Sequence, residues 1–148
     1  MKGDNIAARL LEFAAGVLES VAEFPRTVVG NHVARQLARC GTSGGANYEE
    51  ARRAESGADF AHKIDMAAKE VGEAVYWLRL AERVQLTRSP LLRDLIGEGT
   101  ELVAILRSSA RTVRTRQARQ SPPSGSRLPA PGSQFPVLID QENGEARV

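Results

Sequence analysis

The sequence predicts an all-α protein, folded as an up-down-up-down antiparallel four-helix bundle with a Pro/Gly-rich C-terminal tail. Apolar residues recur every three or four positions through most of residues 1–120, which is the period of one face of a helix. Aromatic residues make up only 5% of the chain, so we expect a core of Leu, Val, Ile and Ala. Short turns between the segments favour antiparallel neighbours. We therefore assign residues 1–120 to the bundle and residues 121–148 to an extended or disordered tail.

The first helix is predicted over residues 4–24. Asp4 or Asn5 is expected to cap its start, because a side-chain oxygen can accept a free backbone N–H there. Pro25 is expected to end it, because proline disfavours helical geometry in the residue before it. The apolar stripe consists of Ile6, Leu10, Phe13, Val17, Val21 and Phe24.

The second helix is predicted over residues 26–54, with a run of small residues, GTSGGAN, at positions 41–47. Each glycine inside a helix costs about 1 kcal/mol relative to alanine. Either the helix breaks at this run or a close neighbour compensates, and the sequence leaves both open. The stripe on either side of the run consists of Val29, Val33, Leu37, Cys40, Tyr48 and Ala51.

The third helix is predicted to begin after Ser56, a good cap, with Asp59 in the place of a capping-box acid. Its main stripe predicts the core-facing side, and a second stripe indicates contact with something outside the bundle. We also expect three ion pairs between residues four positions apart. These pairs are Asp59/Lys63, Asp65/Lys69 and Lys69/Glu73. The main stripe is Phe60, Ile64, Ala67, Val71, Ala74, Leu78 and Ala81, and the second is Met66, Trp77, Leu80 and Val84.

The fourth helix is predicted to have Ser89 as its cap and Pro90 as its first residue, and to stop near Ser121. The composition then changes, because five of the seven prolines lie beyond this point. An apolar cluster, Phe135 with residues 137–139, is a docking peptide or part of a disordered end. The helix stripe is Leu92, Leu95, Gly99, Leu102, Leu106, Ala110 and Val113.

No motif of the chain predicts catalysis, a cofactor or a metal. Residues 41–47 lack the lysine and Ser/Thr of a phosphate-binding loop, so we interpret them as a close helix contact, with Asn47 satisfying a buried polar group. Asp59 and His62 share a helix face, but a di-metal bundle needs more ligands than these. Cys40 lies on an apolar stripe and is expected to be a small, inert hydrophobe. We therefore predict a protein that is not an enzyme.

The sequence predicts a cytoplasmic protein. A single cysteine cannot form an internal disulfide, which fits a reducing compartment. The N-terminal residues carry charges where a signal peptide needs an apolar stretch. No segment has the run of about 18 uncharged apolar residues of a membrane-spanning helix.

The most informative feature is the distribution of charge. Residues 1–103 hold 13 basic and 15 acidic residues, whereas residues 104–120 hold five arginines and no acid. The helix dipole accounts for one or two cations at a helix C-terminus. Nucleic-acid contact, a soluble surface and an acidic protein partner all remain open as explanations. The five arginines are Arg107, Arg111, Arg114, Arg116 and Arg119, and Arg35 and Arg39 form a further pair on the second helix.

The middle of the chain resembles a bacterial family of four-helix bundles encoded within intervening sequences of 23S ribosomal RNA genes. The resemblance rests on QLARCGTSGGANYEEA at residues 36–51, with Asp59-Phe60, Lys69-Glu70 and Tyr76-Trp77-Leu78. Within the family pattern Arg-Ser-Ala-Thr-Ser-Ile-Gly-Ala-Asn, residues 42, 43 and 45–47 match, while Cys40, Gly41 and Gly44 replace Ser, Ala and Ile. The resemblance implies a homopentamer with a role in nucleic-acid binding. It also implies a likeness to the RNA-binding accessory proteins of diversity-generating retroelements.

Together these observations predict a homo-oligomer that binds RNA or DNA through arginine–phosphate contacts. The predicted contacts are the five arginines of the fourth helix, assisted by Arg35 and Arg39. The alternative is a protein-interaction adaptor, such as an accessory subunit of a retroelement reverse transcriptase.

Overall fold

A computed structural model describes residues 2–120, and these residues form four helices. The helices are α1 (Lys2–Ala22), α2 (Val28–Ala51), α3 (Gly57–Arg83) and α4 (Leu91–Gln120). The predicted all-α bundle is therefore confirmed, with no strand in the described range. None of these helices combines the length and apolarity needed to cross a membrane. The predicted tail, with its apolar cluster, lies outside the described residues.

Consecutive helices run in opposite directions, because contacts between them pair later residues of one helix with earlier residues of the other. α1 packs against α2 and α4, and α3 packs against the same two helices. α1 and α3 therefore occupy diagonal corners of the bundle, as do α2 and α4. Tyr48 Oη near the end of α2 donates to the Gly3 carbonyl at the start of α1 (3.2 Å). Between α2 and α3 the ion pairs are Glu50–Lys63 (3.0 Å) and Arg39–Glu73, and between α3 and α4 they are Glu82–Arg93 (2.9 Å) and Asp65–Arg114.

The predicted stripes form the core between the four helices. Val29 is the main exception, because it lies in the first turn of α2 and points into solvent. The buried hydroxyl of Ser20 donates to the carbonyl of Val17 at 2.9 Å, so this polar group is satisfied within α1. The largest fully buried side chains include Phe13, Leu10, Leu37, Ile64, Leu78, Leu102 and Leu106.

The small-residue run does not break α2, which is helical throughout residues 28–51. A Cβ atom added at Gly41 would lie 2.7 Å from Val17 of α1, and one at Gly44 would lie 2.5 Å from Val71 of α3. Two glycines on one helix thus allow a close approach on both sides. Asn47 differs from its prediction, since its side-chain amide donates to the carbonyl of Ser43 within α2.

The predicted start is correct for α3 and is shifted by one or two residues in the other helices. The Ser56 hydroxyl accepts from the Asp59 amide at 3.1 Å, as expected for a cap. α1 begins at Lys2, so Asp4 lies inside its first turn instead of capping it. α2 begins after Thr27, whose hydroxyl accepts from the amide of Gly30. α4 begins at Leu91, one residue after the predicted start.

The three ion pairs predicted along α3 are replaced by pairs with neighbouring helices. Lys63 pairs with Glu50 of α2, Asp65 with Arg114 of α4, and Glu73 with Arg39 of α2. The pairs differ from the prediction because these side chains lie beside a neighbouring helix and form charge-assisted hydrogen bonds with it. The sequence offers several acids to each cation and does not reveal which helix is adjacent.

Candidate nucleic-acid interface

The last four turns of α4, about residues 107–120, form the helix end that carries the predicted arginines. Gly3 lines a surface cleft with Ser108 and Ser109, so α4 continues beyond the start of α1. On its other side this part of α4 rests on α3, where Gly57 packs against Val113 and Gln117. The apolar stripe that holds it there ends with Leu102, Leu106 and Ala110, all fully buried.

We call the five arginines of this segment the arginine strip. All five side chains are exposed. Arg107, Arg111 and Arg114 follow each other at steps of four and three, which aligns them on one face. Arg116 lies nine positions after Arg107, about two and a half turns along the helix, and therefore on the opposite side. The strip thus wraps around the end of α4.

Arg114 is the member of the strip that is held by an acid of the same chain. Its guanidinium is ion-paired with the carboxylate of Asp65 on α3, and this hydrogen bond raises the pKa of Arg114. Among residues 2–120, no ion pair engages the other four arginines of the strip. Four guanidinium groups are therefore available to a ligand.

Lys69 of α3 adds a further cation to this surface. It lines a shallow depression of about 440 Å³ together with Arg107, Asp65 and Gly72. Its side chain is exposed, and no direct ion pair engages it within residues 2–120. The i, i+4 spacing predicted that Lys69 pairs with Asp65 and Glu73 of its own helix. Only the packing of α3 against α4 brings it beside Arg107.

The two arginines of α2 lie apart from the strip. α2 and α4 occupy diagonal corners, so α3 lies between the strip and the two arginines of α2, Arg35 and Arg39. Arg35 is exposed. Arg39 donates to Glu73 at 2.5 Å and to Glu70 at 3.2 Å, which ties α2 to α3. The hydrogen bond between Arg39 and Glu73 raises the pKa of Arg39 and lowers the pKa of Glu73.

A second cluster of charges fixes the position of α4 against α1. Arg9 donates to both carboxylate oxygens of Glu98, at 2.7 and 2.9 Å, and to Glu101 at 2.8 Å. The hydrogen bond from Arg9 lowers the pKa of Glu98. Bidentate arginine–carboxylate pairs are geometrically specific. These bonds therefore tie the first half of α4 to α1.

The residues considered as a nucleophile or as metal ligands make packing contacts instead. Cys40 is fully buried, and burial raises the pKa of its thiol to about 11. His32 makes an edge-to-face contact with Trp77, with ring centroids 5.5 Å apart. Within residues 2–120, no three His, Cys, Asp or Glu side chains are grouped as metal ligands.

Comparison with known proteins identifies the family. The model of the 23S rRNA-intervening sequence proteins matches residues 5–108, which includes Arg107 but ends before the rest of the strip. A crystal structure of a protein of unknown function from the S23 ribosomal protein family of Bacteroides thetaiotaomicron is similar, with 31% identity and a TM-score of 0.64. The similarity covers 75% of this chain and 99% of that one. No curated protein sequence matches this chain. This chain belongs to the family of 23S rRNA-intervening sequence proteins.

Proposed function

We propose that this protein is a homo-oligomeric, non-enzymatic nucleic-acid-binding protein that grips the phosphate backbone of RNA or DNA with the arginine strip. The proposal rests on four exposed arginines that form no ion pair with an acid within residues 2–120. They lie on a helix end that extends past α1. Arginine can hold a phosphate with two parallel hydrogen bonds, which makes such a surface suited to a polyanion.

The arrangement predicts binding that depends on salt and little on sequence. Phosphate contacts fix the position of a nucleic acid but do not read its bases. The strip has no aromatic side chain on which a base could stack, and it lies on an outer surface instead of in a groove. Lys69 beside Arg107 extends the positive surface onto α3. We expect similar affinities for unrelated sequences of equal length.

The proposal is tested by the affinity of the full chain for a random-sequence RNA and for a duplex DNA. Replacing Arg107, Arg111, Arg116 and Arg119 with Gln removes four exposed positive charges and should abolish binding. Gln is a good helix former, so the helix should persist. A double variant, Arg26→Gln with Arg88→Gln, is a control. These arginines lie in the two connections at the opposite end of the bundle, where Thr87 hydrogen-bonds Glu23.

Binding that survives the quadruple substitution, or that weakens equally in the control, would overturn the assignment to the strip. Wild-type protein that binds neither nucleic acid at low salt, yet co-purifies with a polymerase, would favour the adaptor function. We expect self-association to bring several strips together and to strengthen binding without any new contact.

A further inference from the structure

An apolar groove runs along the outer side of the bundle between α1 and α2. It has a volume of about 600 Å³. Leu11 and Leu18 stand at its edge, with exposed fractions of 69% and 48%. The rest of the lining is mostly small, and it includes Ala14, Ala15, Gly45 and Ala46. A contiguous exposed apolar surface of this kind is typical of a binding site for an apolar segment.

The tail that follows α4 contains a short segment whose chemistry fits this groove. Residues 135–139 read Phe-Pro-Val-Leu-Ile, whereas residues 121–134 contain one large apolar side chain, Leu128. In an extended segment alternate side chains share a side, so Phe135, Val137 and Ile139 would face the groove together. Removing such side chains from water is the main favourable term in association.

The segment and the groove have the same length. On α1 the lining extends from Ala7 to Leu18, which is about 16 Å along the helix axis. Five residues in an extended conformation also cover about 16 Å. Because α1 and α2 are antiparallel, Glu49 of α2 lies at the Ala7 end of the groove and Thr42 lies at the Leu18 end.

The tail is long enough to reach this groove from the end of α4. Gly3 lines a cleft with Ser109, so Gln120 lies about 17 Å beyond the start of α1. The path from there to Ala7 is about 23 Å along the bundle and about 17 Å around α1. Phe135 follows Gln120 by 15 residues, which cover up to about 46 Å in a Pro-rich chain. The tail therefore reaches the Ala7 end of the groove first.

The two ends of the groove differ in charge. At the end that the tail reaches first, Arg52 is already shared by the carboxylates of Glu49 and Asp4. The opposite end leads to Arg35, which lies about 10 Å farther along the same face of α2 and is exposed. No ion pair within residues 2–120 engages Arg35. An acidic ligand is therefore favoured at the far end of the groove.

The residues that follow the apolar segment are acidic. Asp140 comes directly after it and Glu142 two residues later, about 10 Å beyond Ile139 in an extended chain. A segment that leaves the groove at its far end brings these acids to Arg35. In the reverse orientation they would meet Glu49 instead. Charge complementarity and the path of the tail thus select the same direction.

We propose that residues 135–139 bind in the groove of the same chain, entering beside Ala7 and leaving beside Leu18, with Asp140 and Glu142 against Arg35. The occupant of the groove is thus the chain's own tail. Binding there covers the exposed apolar surface of α1 and α2. It also holds the acids of the tail beside α2, away from the arginine strip. The inference does not depend on nucleic-acid binding.

The test measures the rate of disulfide formation in the full chain under mild oxidation. Ala15→Cys with Val137→Cys joins the groove to the middle of the segment, and Cys40 does not compete because it is fully buried. The control is Ala104→Cys with Val137→Cys, which uses an exposed site of α4. Ala104 lies nearer to the start of the tail than Ala15 does, so random collision would favour the control. We expect the groove pair to react at least tenfold faster.

Substitutions in the tail test the contact without altering the bundle. In the chain with the groove pair, Phe135→Glu with Ile139→Glu should slow the reaction about tenfold, whereas Leu128→Glu should leave it unchanged. Arg35→Glu should slow it severalfold, and adding Asp140→Lys with Glu142→Lys should restore it. Circular dichroism establishes that the Arg35→Glu variant is folded.

The mass of the denatured product shows whether the disulfide lies within one chain or joins two. Equal rates for the groove pair and the control pair would overturn the inference. A rate that the substitutions at Phe135 and Ile139 leave unchanged would do the same. A product that joins two chains would show that the groove binds another copy, and would also overturn it. Nucleic-acid affinity is measured separately, so failure of the proposed function is a distinct result.

Discussion

Arg114 of α4 is ion-paired with Asp65 of α3, so one member of the arginine strip is neutralised by the subunit that carries it. The same acid lies in the depression that Arg107 and Lys69 line. Asp65 therefore reduces the positive potential at the centre of the strip. A phosphate that approaches this surface competes with the carboxylate for Arg114.

Replacing Asp65 with Asn should strengthen nucleic-acid binding severalfold at low salt. The substitution frees Arg114 and removes one negative charge from the surface, and exposed ion pairs contribute little to stability. Equilibrium binding of a random-sequence RNA measures the change. Asp94→Asn, which makes the same change of charge in the first turn of α4, should have a much smaller effect. Equal gains for the two variants would show that Asp65 has no special relation to the strip.

Two glycine-to-alanine substitutions should change stability in opposite directions. At Gly44 the new Cβ atom would lie 2.5 Å from Val71, so we expect a loss of about 1–3 kcal/mol from overpacking. At Gly97, an exposed position of α4, nothing lies within 4 Å of the new atom. Higher helix propensity should then add about 0.5–1 kcal/mol. Denaturant unfolding measures both, and a stabilised Gly44→Ala variant would contradict the close contact of α2 with α3.

The Arg9–Glu98 pair should make part of the stability depend on pH. Because the folded-state pKa of Glu98 is lowered, its contribution is present above the unfolded pKa of about 4.3 and is lost as pH falls through the folded value. Glu98→Gln should cost about 1 kcal/mol at neutral pH, since the pair is only partly buried. The difference from wild type in the free energy of unfolding should shrink below pH 4.3. A difference that stays constant down to pH 2.5 would disprove the coupling.

The thiol of Cys40 should be inert in the folded protein. Its pKa of about 11 keeps it protonated at pH 8, and its side chain is fully buried. Absorbance with a disulfide reagent should show no reaction in native buffer and one thiol per chain in denaturant. Rapid native labelling would mean that α2 opens locally around this residue.

The fold could be predicted from the sequence because its determinants are local. The spacing of Leu10, Phe13 and Val17, for example, defines a helix face without knowledge of its neighbours, and these residues are buried as expected. The resemblance carried by residues 36–51 lies within the segment that the family model matches. The sequence did not reveal whether Gly44 breaks α2 or allows a close contact, because that depends on the position of Val71 in α3.

The candidate site was only partly predictable for the same reason. The strip is contiguous in sequence, so its helical alignment followed from spacing alone. The pairing of Arg114 with Asp65, and the place of Lys69 beside Arg107, depend on how α3 packs against α4. The separation of Arg39 from the strip depends on the diagonal arrangement of α2 and α4. These relations are contacts between helices, and the spacing of residues along one helix does not predict them.

The salt dependence of RNA binding tests the central claim most directly. Four phosphate contacts to single-stranded RNA predict that log K falls with log salt concentration with a slope of about −2.8, or steeper if several subunits contact one strand. Replacing Arg107 and Arg111 with Gln should reduce the magnitude of that slope by about 1.4 per subunit. A slope near zero, or one that the double substitution leaves unchanged, would contradict phosphate binding by the arginine strip.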